Sequence, residues 1–349
     1  MKPALALATL AVSQPMGQQV YENELTRRAP VTLGADWTVE RVVVRTLRTP
    51  LEGSVRLPSR VLSTSSPGLR RLVGRAIYRR FDVVHRFDLR LPPAPGPELL
   101  TVHDVVSWRF PDEARPPSDA AESARRAAVV VCPSQFSADE VASELGVTTA
   151  VAIPNGVDAA FFEARPLSPE RLWALGIRQP FVLHAGGCTL RKNLAGLAGA
   201  WPLVRKVHDG TMLVMMGPAD DRRNRLFADL PGTVLLGRVD DETARGVMAA
   251  AAAVVVPSTY EGFGLPALEA MAVGVPVVAV ARSSLPEVCG DAAYLVDPDP
   301  LGLAEGLLAA LGDDPRTERM VGRGRRRAER FTWEASAAAH ADLWRSLAS

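Results

Sequence analysis

Cysteine is scarce in this sequence, and so are long apolar runs and any excess of one charge. The 349 residues include three cysteines, Cys132, Cys188 and Cys289, which are widely spaced and form no Cys-x-x-Cys pair. This pattern argues against a disulfide framework and a cysteine metal site, and it predicts reduced thiols in the cytoplasm. No apolar run reaches the ~20 residues of a membrane-spanning helix. With 40 Lys and Arg against 39 Asp and Glu, the net charge of +1 favours no nucleic-acid partner.

The remaining composition, 47% hydrophobic and 23% charged, is that of a globular protein long enough for two domains. Short apolar runs such as LALATLAV, LLTVHDVV and FVLHAGG alternate with amphipathic segments, which is typical of parallel sheets covered by helices. We predict an α/β fold of two Rossmann-like, doubly wound domains that face a central cleft. The turn in IPNGVD and the prolines after it place these domains at residues 1–162 and 163–331. A helix over 332–349, capped by Thr332, is expected to pack back on the first domain.

Two glutamates, Glu261 and Glu269, lie eight positions apart on either side of a glycine-rich turn. The run AAAVVVPS before them predicts a buried strand, and Pro266 suits the first turn of a helix. The free N–H groups and positive dipole end of that helix would form a seat for anionic oxygen. Carboxylates on both sides suit a ligand with phosphates and hydroxyls, although acidic residues also stabilise ordinary helix N-termini.

Other polar residues follow the predicted strands, where open parallel sheets bind their ligands. Gly186 and Gly187 follow FVLHA, and His103 follows LLTV. Arg191 and Lys192 precede a helix, where cations are unfavourable to the dipole, so their position favours a bound diphosphate over a merely solvated pair. His103 has two interpretations, a core histidine or a group that hydrogen-bonds a substrate hydroxyl.

Seven segments in order over most of the chain carry a family resemblance: LLTVHDVVS, VCPSQFSADEV, IPNGVD, LRKNL, LLGRVDDETARGVMAAA, YEGFGLPALEAMAVGVPVV and RFTWE. Together they resemble the retaining family 4 glycosyltransferases of the GT-B fold, whose E-x7-E signature spans Glu261 and Glu269. The resemblance implies transfer of a hexose or deoxyhexose from a nucleotide-diphosphate sugar, with retained anomeric configuration. The acceptor would be a hydroxyl of a glycan, a lipid-linked sugar or a small molecule.

The resemblance also implies residue roles. Glu269 corresponds to the carboxylate that holds the nucleotide ribose, and Glu261 to the one near the donor-sugar hydroxyls. Arg191 and Lys192 match the cations that compensate the leaving diphosphate, and His103 matches a histidine that reaches the transferred sugar. The other contacts to the sugar donor form three groups. The loop around sugar and diphosphate is Gly262, Phe263, Gly264 and Leu265, and the strand edge at the base is Arg238 and Val239. Three loop glycines, Gly186, Gly187 and Gly17, complete the set.

No cofactor beyond the nucleotide sugar is expected, and no metal. The acidic string DPD, Asp297–Asp299, is interpreted as a turn into a helix. Two alternatives keep the same fold: a non-catalytic protein that binds nucleotide sugars, and a nucleotide-sugar epimerase, which needs no acceptor.

Residues 67–81, PGLRRLVGRAIYRRF, place leucines on one helical face and arginines elsewhere. Such a helix can rest on anionic lipid, which would make the protein peripheral at the inner membrane face. The alternative is an ordinary amphipathic surface helix.

Overall fold

A computed structural model describes residues 2–13 and 17–348, which form two compact units. The first unit comprises the residues up to Gly156 together with those from Trp333 onward, and the second is Val157–Thr332. The boundary predicted from the sequence lies at residue 162 instead. The difference arises because Val157 belongs to the buried core of the second unit and Phe161 and Phe162 pack against it.

The first unit contains a seven-stranded, all-parallel sheet in the order β3-β2-β1-β4-β5-β6-β7. Its strands are β1 Ala4–Leu10, β2 Thr38–Thr46, β3 Val55–Leu57, β4 Val83–Arg86, β5 Glu98–Thr101, β6 Val129–Cys132 and β7 Ala150–Ala152. The helices before the boundary are α1 Gly17–Leu33, α2 Ser59–Ser63, α3 Pro67–Tyr78, α4 Val106–Arg109, α5 Ala120–Arg126 and α6 Gln135–Leu145. The strand order reverses between β1 and β4.

The second unit has a six-stranded, all-parallel sheet in the order β10-β9-β8-β11-β12-β13, which reverses between β8 and β11. Its strands are β8 Phe181–Ala185, β9 Met212–Met216, β10 Thr233–Gly237, β11 Ala253–Val256, β12 Val277–Val280 and β13 Tyr294–Val296. Its helices are α7 Pro169–Ala174, α8 Leu194–Arg205, α9 Asp221–Phe227, α10 Asp241–Ala250, α11 Leu265–Val273, α12 Leu285–Cys289, α13 Pro300–Leu311 and α14 Pro315–Ala328. A buried apolar cluster lies on each face of the sheet.

The last helix, α15 Trp333–Ala348, belongs to the first unit although it follows the second in sequence. Trp333 and Trp344 are almost fully buried in the same core as Leu5 of β1 and Leu25 of α1. The two parallel, helix-covered sheets confirm the predicted Rossmann-like α/β class. Among the described residues, no helix combines the length and hydropathy needed to cross a bilayer.

Helix α3 differs from its prediction in the face that it buries. Arg70, Gly74 and Tyr78 form the inner face, whereas Leu69 and Leu72, predicted to share the apolar face, are 43% and 64% exposed. The helix also ends at Tyr78 instead of reaching residue 81. Its exposed side therefore combines leucines with arginines.

Candidate functional site

The candidate site lies where the strand order of the second sheet reverses, at the carboxyl ends of β8 and β11. The loop after β11 carries Glu261, which is only 7% exposed. Its carboxylate accepts a hydrogen bond from Lys192 Nζ at 2.5 Å and from Arg191 Nη1 at 3.1 Å, both on the loop after β8. Glu261 lies 70 positions after Arg191 in the sequence, and the parallel topology of the sheet brings it next to the two cations.

The electrostatics of Glu261 follow from these two cations. Burial by itself raises the pKa of a carboxyl group. Here the positive charges of Lys192 and Arg191 outweigh burial and lower the pKa of Glu261 to about 2. The carboxylate is therefore ionised across the physiological range, and two cations share one negative charge.

Backbone contacts hold the loop after β8 against the loop after β11. Thr259 donates its N–H to the carbonyl of Arg191 at 2.8 Å, and Arg191 Nη1 also reaches the carbonyl of Tyr260 at 3.2 Å. Asn193 adopts a left-handed conformation with φ of 49° and caps α8 by accepting from the N–H of Gly196. The two cations are thus fixed in the short helical turn Leu190–Lys192 that leads into α8.

The segment from Gly262 to Leu265 forms a tight entry into α11. Gly264 has φ of 102°, and a Cβ there would lie 2.7 Å from a methyl of Leu285, so glycine suits both the geometry and the space. Ser284 Oγ lies within 2.9 Å of the carbonyls of Glu261 and Phe263. Gly264 offers no side-chain cap to α11, Pro266 has no N–H, and Ala267 donates its N–H to the carbonyl of Gly264 at 3.0 Å. Of the first three residues of α11, Leu265 therefore keeps its N–H for a ligand.

Glu269 lies about one turn inside α11 and is partly buried. Burial raises its pKa to about 7, with a further contribution from the negative charges of Asp241 and Asp158. Within the part of the chain that the structure describes, its carboxylate has neither a hydrogen bond nor an ion pair. It can therefore accept hydrogen bonds from a ligand, and near neutral pH it is present in both the protonated and the ionised form.

Gly186 and Gly187, directly after β8, are bound through their carbonyls by a buried arginine. Arg223 Nη2 donates to Gly186 O at 2.5 Å and to Gly187 O at 3.3 Å, and the residue is only 2% exposed. Gly217 has φ of 138°, and a Cβ there would lie 2.1 Å from Gly186 O. This close approach fixes the carboxyl ends of β8 and β9 against each other.

The remaining predicted residues lie in three places. Arg238 is exposed just after β10, and Val239 packs against the core. Gly17 is exposed at the start of α1, and His103 follows β5, so both belong to the first unit. The structure thus brings Glu261, Arg191 and Lys192 into contact beside the turn that leads into α11, and Glu269 lies on α11 itself.

His103 lies on a strongly buried edge of the first sheet. Its ring meets the edge of Tyr21 with 4.9 Å between centroids, and its Nε2 is buried with no hydrogen-bond partner in residues 2–13 and 17–348. Burial lowers the pKa of His103 to about 4, although Asp88 opposes the shift, so the ring is neutral at pH 7. A neutral ring can donate or accept a hydrogen bond at its free nitrogen, depending on the tautomer.

The acidic string Asp297–Asp299 leads into a helix, as interpreted from the sequence. Asp299 caps α13 by accepting from the N–H groups of Leu301 and Gly302. No group of three or more His, Cys, Asp or Glu within the described ranges has a geometry that could hold a metal ion.

Comparisons with known proteins connect this geometry to a family. Two family models match: "Glycosyltransferase Family 4" over residues 9–161 and "Glycosyl transferases group 1" over residues 179–313. The O-antigen chain mannosyltransferase B of Escherichia coli is 32% identical over 72% of this chain and 71% of its own length. The chain belongs to the family 4 glycosyltransferases. The phosphatidyl-myo-inositol mannosyltransferase of Mycobacterium tuberculosis is 31% identical over 72% of this glycosyltransferase and 70% of its own length.

Coverage is lower for another relative. The GDP-mannose-dependent α-(1-6)-phosphatidylinositol dimannoside mannosyltransferase of Mycobacterium tuberculosis is 32% identical over 60% of this glycosyltransferase. The match covers 55% of that relative's own length.

Solved structures confirm the GT-B fold of this glycosyltransferase. The sucrose-phosphate synthase of Thermosynechococcus elongatus superposes with a TM-score of 0.75 at 22% identity and covers 99% of both chains. WaaG, a glycosyltransferase involved in lipopolysaccharide biosynthesis, superposes with a TM-score of 0.74 at 17% identity over 97% of this chain and 99% of its own.

Three residues that shape the site of this glycosyltransferase were not found from the sequence: Arg223, Ser283 and Ser284. Ser283 has φ of 54° and accepts the N–H of Glu261 at 2.9 Å. Arg223 stands beside Arg222 and close to Arg225 in DRRNRL, and nothing in that string indicates which arginine is buried. Their partners are backbone groups of distant loops, which local patterns do not reveal.

Proposed function

We propose that this glycosyltransferase transfers a hexose, with mannose from GDP-mannose as the first candidate, to a hydroxyl of a glycan or lipid-linked acceptor, with retention of configuration. The observation that carries the proposal is the cluster of Arg191, Lys192 and Glu261 beside the uncapped N-terminus of α11. The choice of mannose is supported by the three relatives named above, which are mannosyltransferases by name.

The chemistry of a nucleotide-sugar donor suits this cluster. Breaking the anomeric C–O bond leaves negative charge on the departing diphosphate and positive charge on the sugar. Arg191, Lys192 and Glu261 together carry a net charge of +1. Fixed cations stabilise a leaving diphosphate, and the N–H of Leu265 at the start of α11 adds a backbone donor. We assign this role to these two residues without a metal ion.

The other residues complete a binding site for the sugar donor. We assign Glu269 to the ribose hydroxyls, because its carboxylate has no hydrogen bond or ion pair with any described residue. The turn Gly262–Leu265 and the glycines Gly186 and Gly187 offer backbone groups to the sugar and diphosphate, and Arg238 and Val239 flank the base. His103 is assigned to a hydroxyl of the transferred sugar through its unpaired Nε2, and Gly17 to a loop contact.

For the chemical step we propose attack of the acceptor hydroxyl on the same face that the diphosphate leaves. The acceptor oxygen forms the new bond to the anomeric carbon as the carbon–phosphate oxygen bond breaks, and the acceptor proton passes to the leaving phosphate oxygen. Glu261 is an unfavourable nucleophile in this scheme because its carboxylate already accepts from two cations.

The first test is thermal unfolding with GDP-mannose, UDP-glucose, dTDP-glucose or ADP-glucose in the presence of EDTA. A bound nucleotide sugar at a hundredfold excess over Kd stabilises the fold by about 2.7 kcal/mol. We expect a shift with one nucleotide, loss of that shift in Glu269→Gln, and no loss in Glu305→Gln, a control at an exposed position of α13. No shift with any nucleotide, or an equal shift in Glu269→Gln, would contradict the site.

Product analysis distinguishes a glycosyltransferase from an epimerase and from a protein that only binds nucleotide sugars. Incubation with the bound nucleotide sugar and a sugar acceptor should release nucleoside diphosphate and form a glycoside, whose anomeric configuration NMR measures directly. A product of inverted configuration would refute retention. Conversion of the nucleotide sugar without an acceptor would indicate an epimerase, and binding without any product would indicate a protein that only binds nucleotide sugars.

We further propose that the exposed face of α3 rests on anionic lipid at the inner face of a membrane. Leu69 and Leu72 project from the same exposed side as Arg71 and Arg75, so apolar groups for the acyl boundary lie among cations for the headgroups. This arrangement suits an enzyme whose acceptor is lipid-linked.

Co-sedimentation with vesicles containing phosphatidylglycerol tests this contact. We expect binding that falls in Leu72→Glu and stays unchanged in Leu301→Glu, since Leu72 and Leu301 are 64% and 60% exposed on α3 and α13. Equal binding to vesicles of neutral lipid, or equal loss in both variants, would refute a specific contact through α3.

A further inference from the structure

The first sheet has its own reversal point, between β1 and β4, and polar side chains gather at its carboxyl edge. Gln18 and Glu22 come from the first turns of α1, which follows β1. Asp88 follows β4, and His103 follows β5. Open parallel sheets bind ligands at such reversal points. This edge is therefore the place to look for a second ligand in the enzyme.

Glu22 is an unusual residue at this edge. It is only 1% exposed, and its Oε1 accepts from Gln18 Nε2 at 3.0 Å. Its Oε2 is buried and has no hydrogen-bond partner in the part of the chain that the structure describes. Among the described residues no cation forms an ion pair with it, and burial raises its pKa to about 7. Leaving one carboxylate oxygen buried and unpaired costs about 1–3 kcal/mol, which calls for an explanation.

Asp88 stands close to Glu22 but is fully engaged. The same Gln18 Nε2 lies 3.4 Å from Asp88 Oδ2, so one amide connects the two carboxylates. Arg90 donates to Asp88 from its backbone N–H at 2.7 Å and from Nη2 at 2.6 Å. Arg90 therefore neutralises Asp88, and Glu22 Oε2 is left as an acceptor that no described residue satisfies.

His103 is the second side chain of this edge with an unsatisfied polar atom among the described residues. Its ring packs against Tyr21, the residue that precedes Glu22 on α1, and Asp88 is the charge that acts on it. Glu22 Oε2 and His103 Nε2 are buried with no hydrogen-bond partner among the described residues, and the charge of Asp88 acts on both side chains. An anionic ligand would be repelled by the carboxylate of Glu22, which no ion pair offsets among those residues, so the fitting ligand is neutral and carries hydroxyl groups.

We propose that Glu22 Oε2 accepts a hydrogen bond from a hydroxyl of a neutral sugar or cyclitol, which binds beside His103 as the acceptor of the transfer. That this ligand is the acceptor rests on the proposed function, but the binding site itself does not. Glu22 is then a residue of acceptor specificity, held in place by Gln18. A phosphate or carboxylate on the same ring position would be rejected.

The test is saturation-transfer NMR of the full chain with methyl α-D-mannoside, methyl α-D-glucoside and myo-inositol as probes. We expect at least one to bind, and its affinity to fall about tenfold or more in Glu22→Gln, because hydrogen bonds to a charged acceptor are strong. Glu24→Gln is the matched control, since Glu24 lies on the same helix and pairs with Arg27 and Arg28. Melting curves of both variants check that they fold.

The outcomes separate this inference from the proposed function. Binding of none of the probes, or equal binding by wild type and Glu22→Gln, would overturn the inference while the thermal shift with nucleotide sugar still stands. If Glu22→Gln instead weakens the nucleotide sugar but not the free nucleotide, Glu22 contacts the transferred sugar and the acceptor assignment is wrong. Should Glu22→Gln fail to fold, Glu22→Asp provides the same comparison with the charge kept and the reach shortened.

Discussion

Glu261 is expected to stabilise the fold through the two cations that surround it. In Glu261→Gln the charges of Lys192 and Arg191 remain in a largely buried loop without their counter-charge. Breaking a buried pair by removing one partner is strongly destabilising, so we expect a loss of about 3 kcal/mol in the free energy of unfolding at pH 7. Denaturant unfolding of wild type and variant measures it.

The pH dependence of this difference provides its control. The pKa of Glu261 is lowered to about 2 in the folded chain, below that of an unfolded glutamate. The stabilisation is therefore complete above about pH 4.5 and is lost as the pH falls towards 2. The difference in free energy of unfolding between wild type and Glu261→Gln should become smaller over that range. A difference that stays constant between pH 7 and pH 3 would show that charge is not its cause.

Glu269 should have the opposite effect on stability. Its pKa is raised to about 7 in the folded chain, so the folded state holds its proton more tightly than the unfolded state does. Stability is then full below about pH 4.5 and falls as the pH rises through 7. Glu269→Gln should melt at the wild-type temperature at pH 5 and above it at pH 8.5. A variant that is less stable at pH 8.5 would contradict the raised pKa.

At the scale of elements, α15 is held by a chain of hydrogen bonds that begins and ends on it. Trp344 Nε1 donates to His85 Nδ1 at 3.3 Å, and His340 Nδ1 donates to the carbonyl of Ser336 at 2.7 Å. The central links are His85 to Thr101 at 2.7 Å, Thr101 to Tyr21 at 3.0 Å and Tyr21 to His340 at 2.8 Å. An indole N–H can only donate and a carbonyl can only accept, and a neutral imidazole accepts at one ring nitrogen and donates from the other. The hydrogen bonds therefore all run in one direction, from Trp344 to the carbonyl of Ser336.

Tyr21→Phe should therefore destabilise the first unit by about 2 kcal/mol, because the hydroxyl hydrogen of Thr101 and Nε2 of His340 both lose their buried partner. Tyr78→Phe is the matched control. Tyr78 is as buried as Tyr21, but its hydroxyl has no hydrogen-bond partner among the described residues, so its removal should cost little. Urea unfolding of both variants gives the comparison. Equal losses would mean that ring packing, and not the hydrogen-bond chain, determines the effect.

Helix α3 shows which elements the sequence predicts and which faces it does not. The helix itself follows from its Ser-Pro start, but its inner face depends on a distant partner, since Arg70 Nε donates to Asp119 at 2.9 Å. Gly74, which weakens the prediction of a helix, is required there because a Cβ would lie 1.9 Å from Pro93 O. Buried strands and the loop that carries the two glutamates can be predicted from the sequence because each depends on a local pattern of residues. Arg70, Arg223 and Glu22 become interpretable only when tertiary contacts place them.

At the scale of the whole molecule, the division into two units predicts separable stability. Each sheet has apolar clusters of its own, and the second unit is a continuous segment, Val157–Thr332. The first unit depends on α15, which contributes Trp333 and Trp344 to the core around Leu5 and Leu25. The repeated pattern of short apolar runs predicts two such sheets, whereas the dependence on α15 follows only from its contacts.

A chain that ends at Thr332 should accordingly lose the first unit and keep the second. Without Trp333 and Trp344 the first core loses two large apolar side chains, at about 3–5 kcal/mol for each, together with the hydrogen bonds of His340. Calorimetry should show one remaining transition, which a bound nucleotide sugar still raises. Adding a peptide of residues 333–348 should restore protection of α1 from proteolysis. Two unchanged transitions in the shortened chain would show that the first unit is stable without α15.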